Sequence, residues 1–409
     1  MTTLPRSHGA AEARSFVMPT YAPAPVRLVR GDGPWVWDDG GRRYLDFISG
    51  LAVTSLGHCH PAVVTALADQ AARLWHVSNL YLNALTEPLA ERVDRVVRLA
   101  TTTEPGRVFF TNSGAEANEA AIKLVRRHCG PRRNTIVSAL GSFHGRTLGA
   151  LAATGQPSKS EAFLPLPEGF VHVPFGDLDT LERALGPSVG AVMVEPVQGE
   201  AGVVVPPPGY LREVRRLCDE RGVLMVVDEV QTGLCRTGAW LASHHEQVQP
   251  DVVTVAKALG NGMPIGACWA TAEVSASFRP GDHGTTFGGQ PLAAAAALAT
   301  LDTMEREHVA ERAASSGAAL RGALEAVDGV SAVRGAGLLL GVVLDRAAPA
   351  APEVARRCLD KGLLVNCPAP GVIRMAPSLL VEEQQVRLAC DIFADVLRDG
   401  VDRSGGSPL

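Results

Sequence analysis

Val252-Val-Thr-Val-Ala-Lys257-Ala-Leu-Gly-Asn-Gly-Met-Pro-Ile-Gly266 is the stretch whose reading decides the fold. Its β-branched opening predicts a short buried strand, and a lysine stands just past the end of that strand. Three glycines and a proline then break the chain into tight turns. Lysine is nearly always exposed and charged, so Lys257 between Ala256 and Ala258 is unusual. Burial favours the neutral amine, which can condense with an aldehyde. The plain alternative, a surface lysine on a loop after an edge strand, stays open on this stretch alone.

Outward from Lys257, strand, glycine-rich or polar turn and helix alternate from about Pro61 to about residue 290. Arg107–Phe110 precedes a helix over Asn112–Arg127, and Thr135–Ser138 precedes one over Gly141–Gly149. Val189–Glu195 follows a helix at Leu178–Leu185, and Leu224–Asp228 follows one at Gly209–Arg221. Such alternation predicts an α/β fold with a mainly parallel sheet, whose ligands sit at the carboxyl ends of the strands. Before it, Val26–Tyr44 alternates apolar and polar residues around Gly31-Asp-Gly33 and Asp38-Asp-Gly-Gly41, the signature of a hairpin too small to fold alone. After Pro291 come an alanine-rich helix to about His308 and another toward Val327. Strands at Leu338–Leu344 and Leu363–Asn366 follow, then a last helix over about Val381–Arg398. The expected organisation is a tail over 1–20, an N-terminal segment over 21–60 packing with a smaller α/β domain at 293–402, a large domain over 61–292, and a tail over 403–409.

The 409 residues carry a formal charge of −5 and are 46% hydrophobic, which gives no argument for nucleic-acid or anionic-membrane partners. No stretch approaches the roughly 18 consecutive apolar residues of a membrane span. The first residues lack the apolar core of a secretion signal. Eight cysteines are scattered singly, without a C-x-x-C pair, which suits free thiols in a reducing cytoplasm. His58-Cys59-His60 matches no zinc spacing, and no metal is expected.

Several strand ends carry chemistry. Thr111-Asn-Ser113-Gly114-Ala115-Glu116-Ala-Asn118 opens a helix with the Ser113/Glu116 spacing of a capping box, and such an N-terminus is either an ordinary cap or a phosphate seat. Asp228 ends the fully apolar Leu224–Val227 run and needs a cationic or proton-donating partner, either a structural one or a protonated pyridine nitrogen. Ser142-Phe143-His-Gly-Arg146 offers a ring that could stack on a cofactor and a guanidinium that could grip a carboxylate. Glu195 and Glu200 close another strand, and Thr285-Thr286 sit in a glycine loop suited to phosphate. Arg374 lies inside an apolar strand and needs an anion. Each feature alone also fits a structural role. Their occurrence together, in sheet order, does not.

With these motifs in view, the chain resembles the class III, fold-type-I pyridoxal-phosphate aminotransferases from about Val26 to Arg398, and within them the acetylornithine aminotransferase branch. The carrying motifs are Phe110-Thr-Asn-Ser-Gly-Ala-Glu-Ala-Asn-Glu, Ser142-Phe-His-Gly-Arg-Thr, Val227-Asp-Glu-Val-Gln-Thr-Gly, Ala256-Lys-Ala-Leu-Gly-Asn-Gly and Gly284-Thr-Thr-Phe-Gly-Gly. The resemblance implies pyridoxal 5'-phosphate on Lys257, with Asp228 at its ring nitrogen, Gln231 at its phenolic oxygen and Phe143 stacked on the ring. It implies a phosphate seat made of Ser113, Gly114, Ala115 and, from the other subunit of a homodimer, Thr286. It places the substrate's far carboxylate on Arg146, with the partner's Thr285 nearby, and the α-carboxylate of glutamate or 2-oxoglutarate on Arg374. Glu200 would mask Arg374 when N-acetylornithine binds, and Asn79 and Tyr81 would line the mouth. The implied reaction is transamination of N-acetylornithine in arginine biosynthesis. Ornithine, succinylornithine, an N-acylated lysine or diaminopimelate precursor, or 4-aminobutyrate are alternative donors, and a same-fold racemase or decarboxylase is a further alternative. Cys235 stands where the family usually has glycine. If that position needs φ > 0, a side chain there costs on the order of 1 kcal/mol.

Overall fold

A computed structural model describes residues 16–22, 24–100 and 104–401. Most of the expected tail over 1–20, and all of the one over 403–409, lie outside the described residues.

Seven strands form the central sheet, in the order Arg107–Thr111, Gly266–Ala270, Val252–Val255, Leu224–Asp228, Val189–Val194, Thr135–Ala139 and Phe170–Val173. Gly266–Ala270 runs antiparallel to both neighbours; the other pairings are parallel. Val189–Val194 and Val252–Val255 are buried at every position, which is why they read as unbroken apolar runs instead of alternating ones. One apolar cluster, with Val137, Leu181, Val192, Leu217 and Val227, covers one face; another, with Ala121, Val125, Ile136, Met193 and Val226, covers the opposite one. Successive strand residues thus supply opposite layers.

The chain ends meet in two smaller sheets. Leu28–Asp32, Trp35–Asp38 and Arg43–Asp46 form an antiparallel meander, and Leu363–Leu364 joins its last strand in parallel. Val330–Ala336, Leu339–Leu344, Val372–Met375 and Asn366–Ala369 form an antiparallel sheet in that order. The stretch expected as one strand over Leu363–Asn366 therefore divides between two sheets. The helix expected over Gly141–Gly149 begins only at Leu148, because Ser142 to Arg146 are drawn off as a loop: the Ser142 hydroxyl takes the Gly155 N–H, and the Thr154 hydroxyl takes the His144 N–H. That loop forms one wall of the site. Ser49–Ala52, between the N-terminal meander and the first long helix Pro61–Ala71, is a left-handed turn with φ between +49° and +69°.

Candidate active site

The carboxyl ends of the parallel strands open into a cavity of about 430 Å³. Lys257 enters it directly after Val252–Val255, in a short 3-10 turn, Lys257–Gly260, at φ +37°. Backbone held in that region is strained and persists only where its surroundings over-determine it. Asn261 does part of this: its buried amide accepts from Leu56 N–H at 2.8 Å and donates to the Gly57 carbonyl at 3.0 Å, fastening the turn to a segment 205 residues away. Burial pushes the Lys257 amine down to about 8, against the opposing charges of Glu200, Asp228 and Glu195.

Asp228 ends the neighbouring strand, is 3% exposed, and lines the same cavity. Asn118 donates to its Oδ2 at 2.8 Å, His144 Nδ1 lies 2.8 Å from the same oxygen, and Val230 N–H donates to Oδ1 at 3.0 Å. Thr254 in turn donates to Asn118 at 2.8 Å and fixes which way its amide points. The His144 Nε2 is buried without a partner among the described residues. Asp228 is thus an anion aimed into the cavity by neutral or titratable groups, with no Lys or Arg paired to it among the described residues.

The Gly114–Cys129 helix opens at the cavity wall with Ser113 as its cap, accepting from Glu116 N–H at 3.2 Å. Glu116 reaches one residue further back than a capping box requires, to the Asn112 N–H at 2.8 Å. The first-turn N–H groups of Gly114 and Ala115 have no helix carbonyl to receive them and border the cavity. Phe143 forms another wall, held by its N–H on Glu195 Oε2 at 2.9 Å. Burial, then the charge of Asp228, pushes the Glu195 carboxyl well above the usual range. The Arg146 guanidinium lies 5.7 Å from the Phe143 ring centre.

Arg374 is 2% exposed and reaches the cavity through two partners, Glu200 Oε1 at 2.6 Å and Gln231 Oε1 at 3.3 Å. Its Nε also donates to Asn366 at 3.2 Å. Burial raises the Glu200 carboxyl, but the charge and hydrogen bond of Arg374 outweigh this and hold it below the usual range. A Cβ at Gly199 would fall 1.5 Å from Gln231 Oε1, so a larger residue there would displace the Gln231 amide from Arg374.

The structure therefore brings Ser113, Gly114, Ala115, Phe143, Arg146, Glu200, Asp228, Gln231 and Lys257 around one cavity, with Arg374 joined to it. Thr286, Asn79 and Tyr81 stand apart within the single chain, while Thr285 touches the cavity edge through its hydroxyl, which accepts from the Asn112 amide at 3.3 Å. Asn79 and Thr286 border a separate recess, Asn79 donates to the Thr285 carbonyl at 3.0 Å, and Tyr81 is 73% exposed. Sequence reasoning missed Asn118 and His144 as partners of Asp228, although both lie inside the motifs quoted above.

A family model described as "Aminotransferase class-III" matches residues 16–397. The chain belongs to the class-III aminotransferases. It is 46% identical over 390 residues to the acetylornithine aminotransferase of Methanothermobacter thermautotrophicus, covering 94% of this chain and 97% of that protein. It is 50% identical over 384 residues to the acetylornithine aminotransferase of Methanopyrus kandleri, with the same coverages. Among solved structures, the ornithine aminotransferase of Toxoplasma gondii superposes with a TM-score of 0.90 at 36% identity, over 95% of this chain and 94% of that one. The N-acetylornithine aminotransferase of Stenotrophomonas maltophilia does so with a TM-score of 0.81 at 37% identity, over 93% and 98%. The fold is fold type I, and class-III aminotransferases depend on pyridoxal phosphate. The cavity fits that group: a carboxylate with no Lys or Arg paired to it among the described residues stands at Asp228, first-turn helix N–H groups at Gly114 and Ala115, and an amine lowered to about 8 by burial at Lys257.

Proposed function

We propose that this chain is an N2-acetylornithine:2-oxoglutarate 5-aminotransferase of arginine biosynthesis, a cytoplasmic homodimer that works with pyridoxal 5'-phosphate. The observation that carries this reading is the buried Arg374–Glu200 pair at 2.6 Å beside Lys257; the relatives named acetylornithine aminotransferase support the choice of donor. In the same reading residues 61–292 form the large domain, and 21–60 with 293–402 the small one, an assignment supported by the pairing of Leu363–Leu364 with Leu45–Asp46.

Asp228 would hold the ring nitrogen of the cofactor, Gln231 its phenolic oxygen and Phe143 its face. Ser113, Gly114 and Ala115, with Thr286 of a second copy, would hold its phosphate. The bound group supplies an aldehyde to take up the amino group and a protonated ring to accept electrons from the reacting carbon. Lys257 Nζ, lowered to about 8 by burial, would accept the proton from the substrate's amine-bearing carbon and hand it back.

Arg146 holds the far carboxylate of either substrate, with the partner's Thr285 nearby, and Asn79 and Tyr81 line the mouth. Glutamate also brings an α-carboxylate next to its reacting amine, and Arg374 would receive it. N-acetylornithine brings none, and an unmasked Arg374 would attract α-amino acids in the wrong orientation. Glu200 masks it. Discrimination then comes from whether the incoming donor displaces this carboxylate.

Single-turnover spectra of the holoenzyme with N-acetylornithine, ornithine, succinylornithine and 4-aminobutyrate test the assignment. N-acetylornithine is expected to discharge the cofactor absorbance fastest, and 2-oxoglutarate to restore it. A faster reaction with ornithine or 4-aminobutyrate reassigns the donor. No reaction with any ω-amine removes the proposal.

A further inference from the structure

Glu200 cannot both mask Arg374 and leave it to glutamate, so its carboxylate needs a second place. It is three-quarters buried at the side chain, and an unpaired carboxylate there is unfavourable. Among the described residues its side chain makes one hydrogen bond, from Arg374. Three cations hold its acidity below the ordinary range: Arg374, Lys257 and Lys159. In the proposed function Lys257 is committed to the cofactor, and Arg374 to the substrate whenever glutamate is bound. Lys159 remains.

Lys159 lies at the end of the short helix Pro157–Ser160, half-buried, with its Nζ 5.9 Å from the centre of the Phe143 ring. Among the described residues its ammonium has no hydrogen bond or salt bridge; its contact is with the ring. Phe143 is fixed through Glu195, five residues before Glu200, and Glu200 and Phe143 line the same cavity. A flexible four-carbon stem lets the ammonium move to a carboxylate that swings toward it. Glu200 itself sits in the Gly199-Glu-Ala-Gly202 turn, and Arg374 has a second partner besides it in Gln231 Oε1 at 3.3 Å.

We propose that Lys159 receives the Glu200 carboxylate when a substrate's α-carboxylate takes Arg374, and so makes the masked-to-open switch reversible. Lys159 is thus a positioning residue for the glutamate half-reaction, acting through Glu200. The inference rests on the proposed roles of Arg374 and Glu200.

The test uses holoenzyme and two unreactive probes in calorimetric titrations. Glutarate needs both Arg146 and Arg374; Nα-acetylnorvaline carries one carboxylate and leaves Glu200 in place. Lys159→Met is expected to weaken glutarate about tenfold, the scale of a partly buried charge pair, and to leave Nα-acetylnorvaline unchanged. Lys159→Arg restores glutarate, and in a Glu200→Gln background Lys159→Met has no effect on it. The half-reaction with glutamate slows in parallel while that with N-acetylornithine keeps its rate. Unchanged glutarate affinity in Lys159→Met overturns the proposal. So does equal weakening of both probes, which would make Lys159 a direct substrate contact, or an effect that persists without the Glu200 charge. If the wild type binds neither probe, the functional assignment fails and this inference falls with it.

Discussion

Lys257 and Asp228 were legible because each breaks a local rule: a charged side chain at the end of an otherwise apolar strand has to be compensated by something. The partners that do so were not legible. Asn118 and His144 reach Asp228 across 110 and 84 residues of chain, and nothing local distinguishes them from a helix asparagine and a loop histidine. Two predictions belong to this scale. Burial lowers Lys257 to about 8 from an ordinary 10.5, so the unfolded chain binds the extra proton between those values and the folded apoprotein gains stability as pH rises through that window. Lys257→Met is therefore expected to stabilise the apoprotein most below pH 8, with the gain fading toward 10.5; chemical denaturation across pH checks it, and a constant difference would mean that the amine is not perturbed. Asp228→Asn removes the anion while keeping its shape, and is expected to retain the cofactor but lower single-turnover rates about a thousandfold. Near-normal rates would leave Asp228 a structural role only.

At the scale of elements, most of the expected helices fell within a few residues of their bounds, because caps and prolines mark them: Gly114–Cys129, Tyr210–Arg221 and Pro291–Arg306 are examples. Strands without β-branched runs escaped notice. Gly266–Ala270 reads Gly-Ala-Cys-Trp-Ala and is a strand only because it fits between two others, with Trp269 fully buried and bonded to Asp94 at 2.8 Å. Phe170–Val173 is a four-residue edge strand with one buried residue, so it carries little apolar signal. The loop after Leu224–Asp228 supplies a prediction of its own. Leu234 and Cys235 sit consecutively at φ +54° and +71°, and Cys235 is fully buried in the main apolar cluster. Replacing it by glycine relieves strain but loses the buried sulfur, so wild type against glycine mixes two effects. Alanine keeps the strain and loses the same sulfur. Cys235→Gly is therefore expected to be more stable than Cys235→Ala by about 1 kcal/mol in thermal or urea unfolding, reversing the usual order of those residues. An alanine variant as stable as the glycine one would mean that this turn tolerates a side chain without strain.

The whole molecule leaves something exposed that a single chain does not explain. Leu80, Tyr81 and Leu82 are 87%, 73% and 102% exposed, and Trp75 and Phe287 are more than half exposed. His76 lies against Phe287 with ring centres 5.1 Å apart, so the segment around residues 75–82 and the Thr285–Thr286 loop share one face. A patch of this kind is uncommon on a monomer and suits a partner surface. In the proposed homodimer this face meets the second copy and carries Thr286 to the other chain's phosphate seat, which explains why Thr286 stands outside the cavity formed by its own chain. A two-fold dimer built this way makes a crossed test possible. Lys257→Ala disables a site through its own chain, and Thr286→Asp, which sets a like charge against phosphate, disables the partner's site. Each variant alone is expected to be inactive. After dissociation and remixing, a hybrid dimer contains one site with an intact Lys257 from one chain and an intact Thr286 from the other, and about a quarter of wild-type activity should return at equal mixing. If Thr286 served its own chain, one chain of the hybrid would lack the lysine and the other the threonine, and no mixing would restore turnover.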